Sequence, residues 1–452
     1  LKSETEFSSI FAGNVKGGYM KVKRITVLVL IAFLCVMQMA WAGGQQEGAA
    51  KGAEEQVTLR FVNWASAEDA TRATINECIA IFEKQNPNIK IENIPVPFGQ
   101  ISQQAVTMAA GGNPADIIQQ EAWMPYELAG MGELENLENY ASEEYLERVW
   151  PSTLEASRYN DKLIAVPWSV TPFGFWYNKK LLKDAGIDEP AADWSELLAH
   201  LDILKEHYEG QNVDTLEVFT AAPKYSVIHG WTWMWAFGAT PLENGRAGID
   251  TPEFKETLAW YRKMVNEGYT TGGWKLREFR EAFAKDQLVY AYDGPYIKGI
   301  MSSIAEDMSD EEFNETYGVA RFPFGKRENT AMSFHQLAMS NKCADKEAAW
   351  KFIEFLTSSE TVIEKYILPM GAILPLKDQV DGAYADEFSD PADRGFVEEV
   401  LPYTAGIPFN PKYSQAAETI STLGIQKACF TNEPIDKIVA ELEQEINKIY
   451  GW

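Results

Sequence analysis

Short apolar β-runs alternate with amphipathic helices from the first folded residues onward, and that rhythm leaves few architectures open to the chain. Val57 to Trp64 (VTLRFVNW) reads as a strand. The next segment sets Ile75, Cys78, Ile79 and Phe82 at i, i+3, i+4 and i+7, one helical face, before Asn86-Pro87 ends it. Ile89 to Val96 is a strand, Ile101 to Ala110 a helix stopped by Gly111-Gly112, and Asp116 to Gln119 a short strand running into a polar, aromatic loop. Repetition of strand, helix and strand marks βαβ units and a parallel sheet, so the expected class is α/β. Near the end, Pro434 to Tyr450 carries Ile435, Ile438, Val439, Leu442, Ile446 and Ile449 on one stripe, with Glu and Lys opposite: a helix that docks on a core.

The folded part begins near Val57. Before it, Met20 to Arg24 (MKVKR) is a charged start, Ile25 to Met37 is thirteen residues of almost purely apolar sequence, and Ala40-Trp41-Ala42 fits small-x-small cleavage. These are the parts of a secretory signal. A membrane-spanning helix needs about 20 apolar residues. Cleavage is expected after Ala42, which places the mature chain in the periplasm or another extracytoplasmic space. Cys35 lies inside the apolar run behind the bulky Leu34, so lipid anchoring there is the weaker reading. Residues 1–19 have no apolar pattern and read as an over-extended start, and Gly43 to Gln56 is a small, polar tether. About 395 residues remain, too many for one ordinary core, which predicts two domains.

Charge and cysteine usage narrow the partners. Residues 1–42 hold five Lys/Arg and two Asp/Glu, leaving 35 basic against 64 acidic residues and a formal charge of −29. Such a field repels nucleic acid and anionic membranes, although scattered acidic residues serve solubility first. Past the signal only Cys78, Cys343 and Cys429 remain, with neither a disulfide framework nor metal-ligand spacing, and three buried thiols are expected. The four histidines are His200, His207, His229 and His335. The first two lie seven apart on a charged helix, where solvent is the default, and the others have no His or Cys close in sequence. No phosphate loop, GxSxG elbow or HExxH occurs, and no carboxylate pair stands out. The expectation is a binder without catalytic residues, metal or cofactor.

Aromatic residues at loop positions are the chemical signal that does stand out. Trp64 ends the first strand, Trp123 follows Ala-Asp-Ile-Ile, Trp168 follows a Val-Pro step, and Trp231, Trp233 and Trp235 cluster. Strand ends in open α/β sheets face the ligand crevice. Aromatic faces pack on the C–H faces of sugar rings while polar neighbours read hydroxyls, so Trp beside Asp, Glu and Arg suits carbohydrate. Against this stands core packing, since Trp is highly buried on average. Trp64, Trp123 and Trp168 are expected in a cleft. Trp231 and Trp233 balance evenly between ligand contact and core, and Trp235 leans to the core.

Four segments in order also carry a family resemblance: AAGGNPADIIQQEAWMPYELAGMGELENL (109–137), DKLIAVPWSVTPFGFWYNKKLLKDAGID (161–188) with DWSEL after it (193–197), EAFAKDQLVYAYDGPYIKGI (281–300), and HQLAMSNKCADKEAAWKFIEFLTSSE (335–360). Together they resemble family 1 extracellular solute-binding proteins, the maltose-binding-protein-like sugar-binding components of ABC transporters. The resemblance implies the class II periplasmic-binding-protein fold, two hinge-linked lobes around a cleft: residues 57–171 and 317–365 in the first lobe, 172–316 and 366–452 in the second. It implies a monomer that captures a sugar and delivers it to membrane permease subunits. Binding of a polyamine, iron or a glycerophosphodiester, a sensor-docking role, or secreted glycan-active chemistry are the alternatives. Carried onto this chain, the cleft residues are Trp64, Glu68, Glu121, Trp123, Trp168, Asp293, Tyr296 and Tyr413, with Gly371 acting through its backbone. Two departures are Tyr296 where Trp is common and Asp286 where a turn glycine is common.

Overall fold

A computed structural model of the chain describes residues 56–220, 223–243, 248–304 and 308–452. The signal read at Met20 to Ala42, with Cys35, and the tether as far as Glu55 lie outside the described residues.

Two sheets organise the rest. In the first, β1 (Val57–Asn63) lies between β2 (Ile89–Pro95) and β3 (Ile117–Glu121), all parallel. Parallel neighbours need crossovers, supplied here by α1 (Asp69–Gln85) and α2 (Ile101–Ala110). Helix α1 buries Ile75, Cys78, Ile79 and Phe82, the four residues that the spacing put on one face. A hairpin of β4 (Arg158–Tyr159) and β5 (Lys162–Leu163) turns through Asn160 and Asp161, both at positive φ. The chain then enters β6 (Val166–Pro172) and crosses to the second sheet.

That sheet contains β7 (Gly174–Asn178), β8 (Asp214–Leu216), β9 (Leu288–Asp293) and β10 (Tyr317–Ala320) in the order β10-β7-β9-β8. The return strand β11 (Thr330–Met339) runs antiparallel to β6 on one side and β3 on the other, and β12 (Thr404–Ala405) pairs with its start. Both crossings are tied together: Phe173 N–H donates to the Ala331 carbonyl at 3.1 Å and Thr330 Oγ1 donates to the Phe173 carbonyl at 2.7 Å. This is the two-lobed α/β architecture with hinge-linked lobes that the sequence led us to expect. The sheet memberships cut across the expected boundaries at two places. Tyr317–Ala320 pairs with β7 in the second sheet, because the chain turns back only after β10, and Thr404–Ala405 joins the first.

Packing follows the predicted faces. The last helix, Ile435–Tyr450, buries Ile438, Val439, Leu442 and Ile446. Cys78, Cys343 and Cys429 are buried free thiols. His207 is exposed, but His200, expected at the solvent, is half-buried with Nδ1 2.9 Å from the Tyr290 hydroxyl. No helix among the described residues is long and apolar enough to cross a membrane.

Candidate functional site

The C-terminal ends of β1, β2 and β3 open onto a cavity of about 620 Å³ between the two sheets. Trp64 follows β1, Phe98 follows β2, and Glu121 ends β3, so three strand ends supply three lining residues. Glu68, exposed just before α1, stands at the same wall. Trp64 makes edge contacts with Phe98 (centroids 5.2 Å apart) and with His335 (4.9 Å).

The floor of that wall is a row of polar side chains produced by strand alternation. Ser169 on β6 pairs with His335 on β11, which pairs with Glu121 on β3, and one step along Thr171 pairs with Ser333. Successive side chains in a strand point to opposite faces, so residues two apart share one. All five line the cavity. Ser333 donates to Glu121 Oε1, and Glu121 Oε2 lies 3.6 Å from His335 Nε2. Burial pushes the Glu121 carboxyl up to about 7, and burial pushes His335 down to about 4. The Ser169 hydroxyl has no protein partner among the described residues, and a buried polar atom of this kind is stabilised by any hydroxyl that reaches it.

The opposite wall comes from the second lobe. On the helix Leu276–Ala284, Leu276 and Arg280 stand four residues apart on one face, and both line the cavity. Tyr296, Gly299 and Ile300 follow from the turn after β9, and Pro369, Met370 and Ala372 close one side. Arg280 donates to Asp293 through Nε (2.7 Å) and Nη2 (3.2 Å), and its guanidinium lies 5.1 Å from the Tyr296 ring centre. Burial alone would raise Asp293, but the charge and hydrogen bonds of Arg280 prevail and hold it below the usual range. Gly294 is needed here, because a Cβ would sit 2.4 Å from the Tyr296 ring.

Of the residues named from sequence, the cavity gathers Trp64, Glu68, Glu121 and Tyr296. Asp293 stands behind Arg280, fully buried and paired with it at 2.7 Å. Gly371 takes a left-handed conformation (φ +65) between the lining residues Met370 and Ala372. The others are placed differently. Trp168 is fully buried and stacks on Tyr366 at 4.7 Å: it alternates with Ser169, so when Ser169 faces the cavity Trp168 faces the core. Trp123 is 7% exposed in the apolar core and is not among the lining residues. Trp231 donates Nε1 to the Tyr413 hydroxyl at 2.9 Å and Trp233 stacks on Trp260 at 5.1 Å, all away from the cavity. Their helix, Pro223–Ala236, buries Trp231, Trp233 and Trp235 alike, as an element passing through the middle of a lobe does.

Sequence reasoning missed Phe98, Ser169, Thr171, Arg280, Ser333 and His335. The polar alternation in VPWSVT was a legible signal for Ser169 and Thr171. Arg280 gave none, since its partner Asp293 is thirteen residues away. Among the described residues no group of three His, Cys, Asp or Glu is gathered to hold a metal ion.

The family described as bacterial extracellular solute-binding protein matches residues 64–363. A Brucella abortus chain named as a binding protein is 26% identical, with 75% of this chain and 81% of that one covered. The multiple sugar-binding protein of Streptococcus mutans is 21% identical, covering 76% of this chain and 80% of its own. Among solved structures, an ABC transporter solute-binding protein from Thermotoga lettingae bound with α-D-tagatose superposes with a TM-score of 0.72 at 21% identity. It covers 88% of this chain and 100% of that one.

Proposed function

Because the chain belongs to the bacterial extracellular solute-binding protein family, we propose that it captures a carbohydrate between its two lobes. It then hands the sugar, chemically unchanged, to the permease of an ABC transporter. The observation that supports this most is the pairing of walls in one cavity: aromatic Trp64, Phe98 and Tyr296 around the polar row of Ser169, His335, Glu121, Thr171 and Ser333. A pyranose presents that combination of apolar C–H faces and ringed hydroxyls. The relatives' names point the same way, since one is called a multiple sugar-binding protein and one solved structure holds a sugar.

Capture works through the crossings. Ligand contacts come from both lobes, and only the closed arrangement satisfies both at once. A solute therefore stabilises closure by its differential affinity for that state. The permease reads the closed form, and release follows reopening. Export through the signal ending at Ala42 and action as a monomer complete the reading.

The test is calorimetric titration with mono- and oligosaccharides, polyamines and glycerophosphodiesters, followed by mass analysis of the recovered solute. A carbohydrate that saturates one site and returns intact supports capture. A cleaved sugar points to an enzyme, and binding only of a polyamine or phosphodiester replaces the substrate class.

A further inference from the structure

The second lobe offers the cavity one formal cation, and its surroundings decide what it selects. Arg280 is 13% exposed in its side chain and Asp293 is 0% exposed. Two nitrogens, Nε and Nη2, are committed to the carboxylate, which also accepts the Gly294 N–H at 2.8 Å. Nη1 stays outside that pair. The Tyr296 ring, 5.1 Å from the guanidinium, packs beside it and lines the same cavity.

Among the described residues, Glu217 and His229 beside this pair are held toward their uncharged forms. Glu217 is fully buried, both its oxygens lack a side-chain partner, and burial together with the Asp293 charge raises it far above the ordinary range. Burial pushes His229 down to about 4. Among the described residues, Asp293 is the charge that balances Arg280. Across the cavity stand Glu68 and Glu121, with no second cation among the lining residues.

We propose that Arg280 is the specificity-determining donor of the cavity, positioned and charge-neutralised by Asp293, and that the pair selects neutral sugars over acidic ones. This rests on the carbohydrate reading above. An unpaired guanidinium in a low-dielectric cleft attracts a carboxylate, as it does wherever planar recognition of anions occurs. Paired as it is, it keeps hydrogen-bond donors without net positive charge. A uronate entering the cavity meets the Asp293–Arg280 pair, already satisfied, and no further cation among the described lining residues. A neutral hydroxyl or ring oxygen meets a fixed donor. Asp293 touches no solute and acts only by holding Arg280.

The experiment titrates the full chain with glucose, galactose, xylose and maltose and with the uronates glucuronate and galacturonate, then repeats the set with Arg280→Gln and Asp293→Asn. The wild type is expected to bind a neutral sugar at least about tenfold more tightly than its uronate, and Arg280→Gln to weaken that sugar by about tenfold. Asp293→Asn should narrow or invert the neutral-to-uronate ratio, a change that a merely structural defect does not produce. Tighter binding of a uronate by the wild type overturns the proposal. So does wild-type affinity in Arg280→Gln; Arg280→Lys, which keeps a cation beside the buried Asp293 but not the planar donor fork, keeps the test decisive if either of the other variants does not fold, and wild-type affinity in it likewise overturns the proposal. Absence of any carbohydrate signal with the wild type is a different result, and it removes the carbohydrate reading together with this one.

Discussion

Glu121 and His335 stand opposite each other across the β3–β11 ladder, with Oε2 and Nε2 3.6 Å apart and both side chains in the cavity wall. The pair is not a salt bridge at neutral pH. Burial drives each group toward its uncharged form, Glu121 up to about 7 and His335 down to about 4. The wall thus offers a carboxyl near its titration point beside a neutral imidazole, polar enough to read hydroxyls.

That shift carries a stability consequence. The folded chain holds the Glu121 proton to higher pH than the unfolded chain, so this group's contribution is complete below its ordinary 4.5 and is lost as pH rises through about 7. The loss is on the order of 3 kcal/mol. Glu121→Gln cannot ionise. Its stability relative to wild type should therefore improve as pH is raised from about 5 to about 8. Urea unfolding of both proteins at the two pH values checks this, and a difference independent of pH contradicts it.

Trp64 and Trp168 should separate binding from stability. Trp168→Ala empties a fully buried site stacked on Tyr366 and should cost about 3–5 kcal/mol in denaturant unfolding, with the affinity of the folded protein kept. Trp64→Ala removes a cavity wall and should weaken carbohydrate binding at least about tenfold. Equal affinity losses in the two variants would return Trp168 to the cavity.

Gly371 sits at φ +65 between two residues that line the cavity. Alanine there is forced into the left-handed region at φ +65, at a cost of about 1–2 kcal/mol. Its Cβ would also lie 3.2 Å from the Tyr296 Cα. Gly371→Ala is expected to lower the melting temperature and to weaken binding together, measured by calorimetry of both processes.

Asp286, a departure from the turn glycine in the resemblance, adopts φ +56 and is held by bonds of 2.7 Å from Asn178 Nδ2 and from Lys180 Nζ. Glycine at this position relieves the strain while losing the bonds; alanine loses the bonds and keeps the strain. Asp286→Ala should be less stable than Asp286→Gly by about 1 kcal/mol in thermal unfolding.

The fold was legible where periodicity is local. The four buried residues of α1, the bounds of α2 and the stripe of the final helix follow from spacing alone. The boundary at β10 was not, because whether a strand pairs before or after a crossing is a long-range choice that a short apolar run does not record. In the site, Trp64 and Glu121 were legible because parallel strands end there. Trp168 was misjudged because the Val-Pro-Trp step gives residue type without face, and face is set by pairing with β11. The same register places Ser169 and Thr171, whose alternation was visible, in the cavity. Arg280 stayed hidden because its role depends on a partner brought to it by β9.

One titration bears on the whole reading: calorimetry of the chain with a carbohydrate panel, run beside Trp64→Ala, with mass analysis of the solute recovered afterwards. One saturating sugar, returned intact and lost or weakened in the variant, is the predicted result. No binding of any carbohydrate, or a cleaved product, would contradict it.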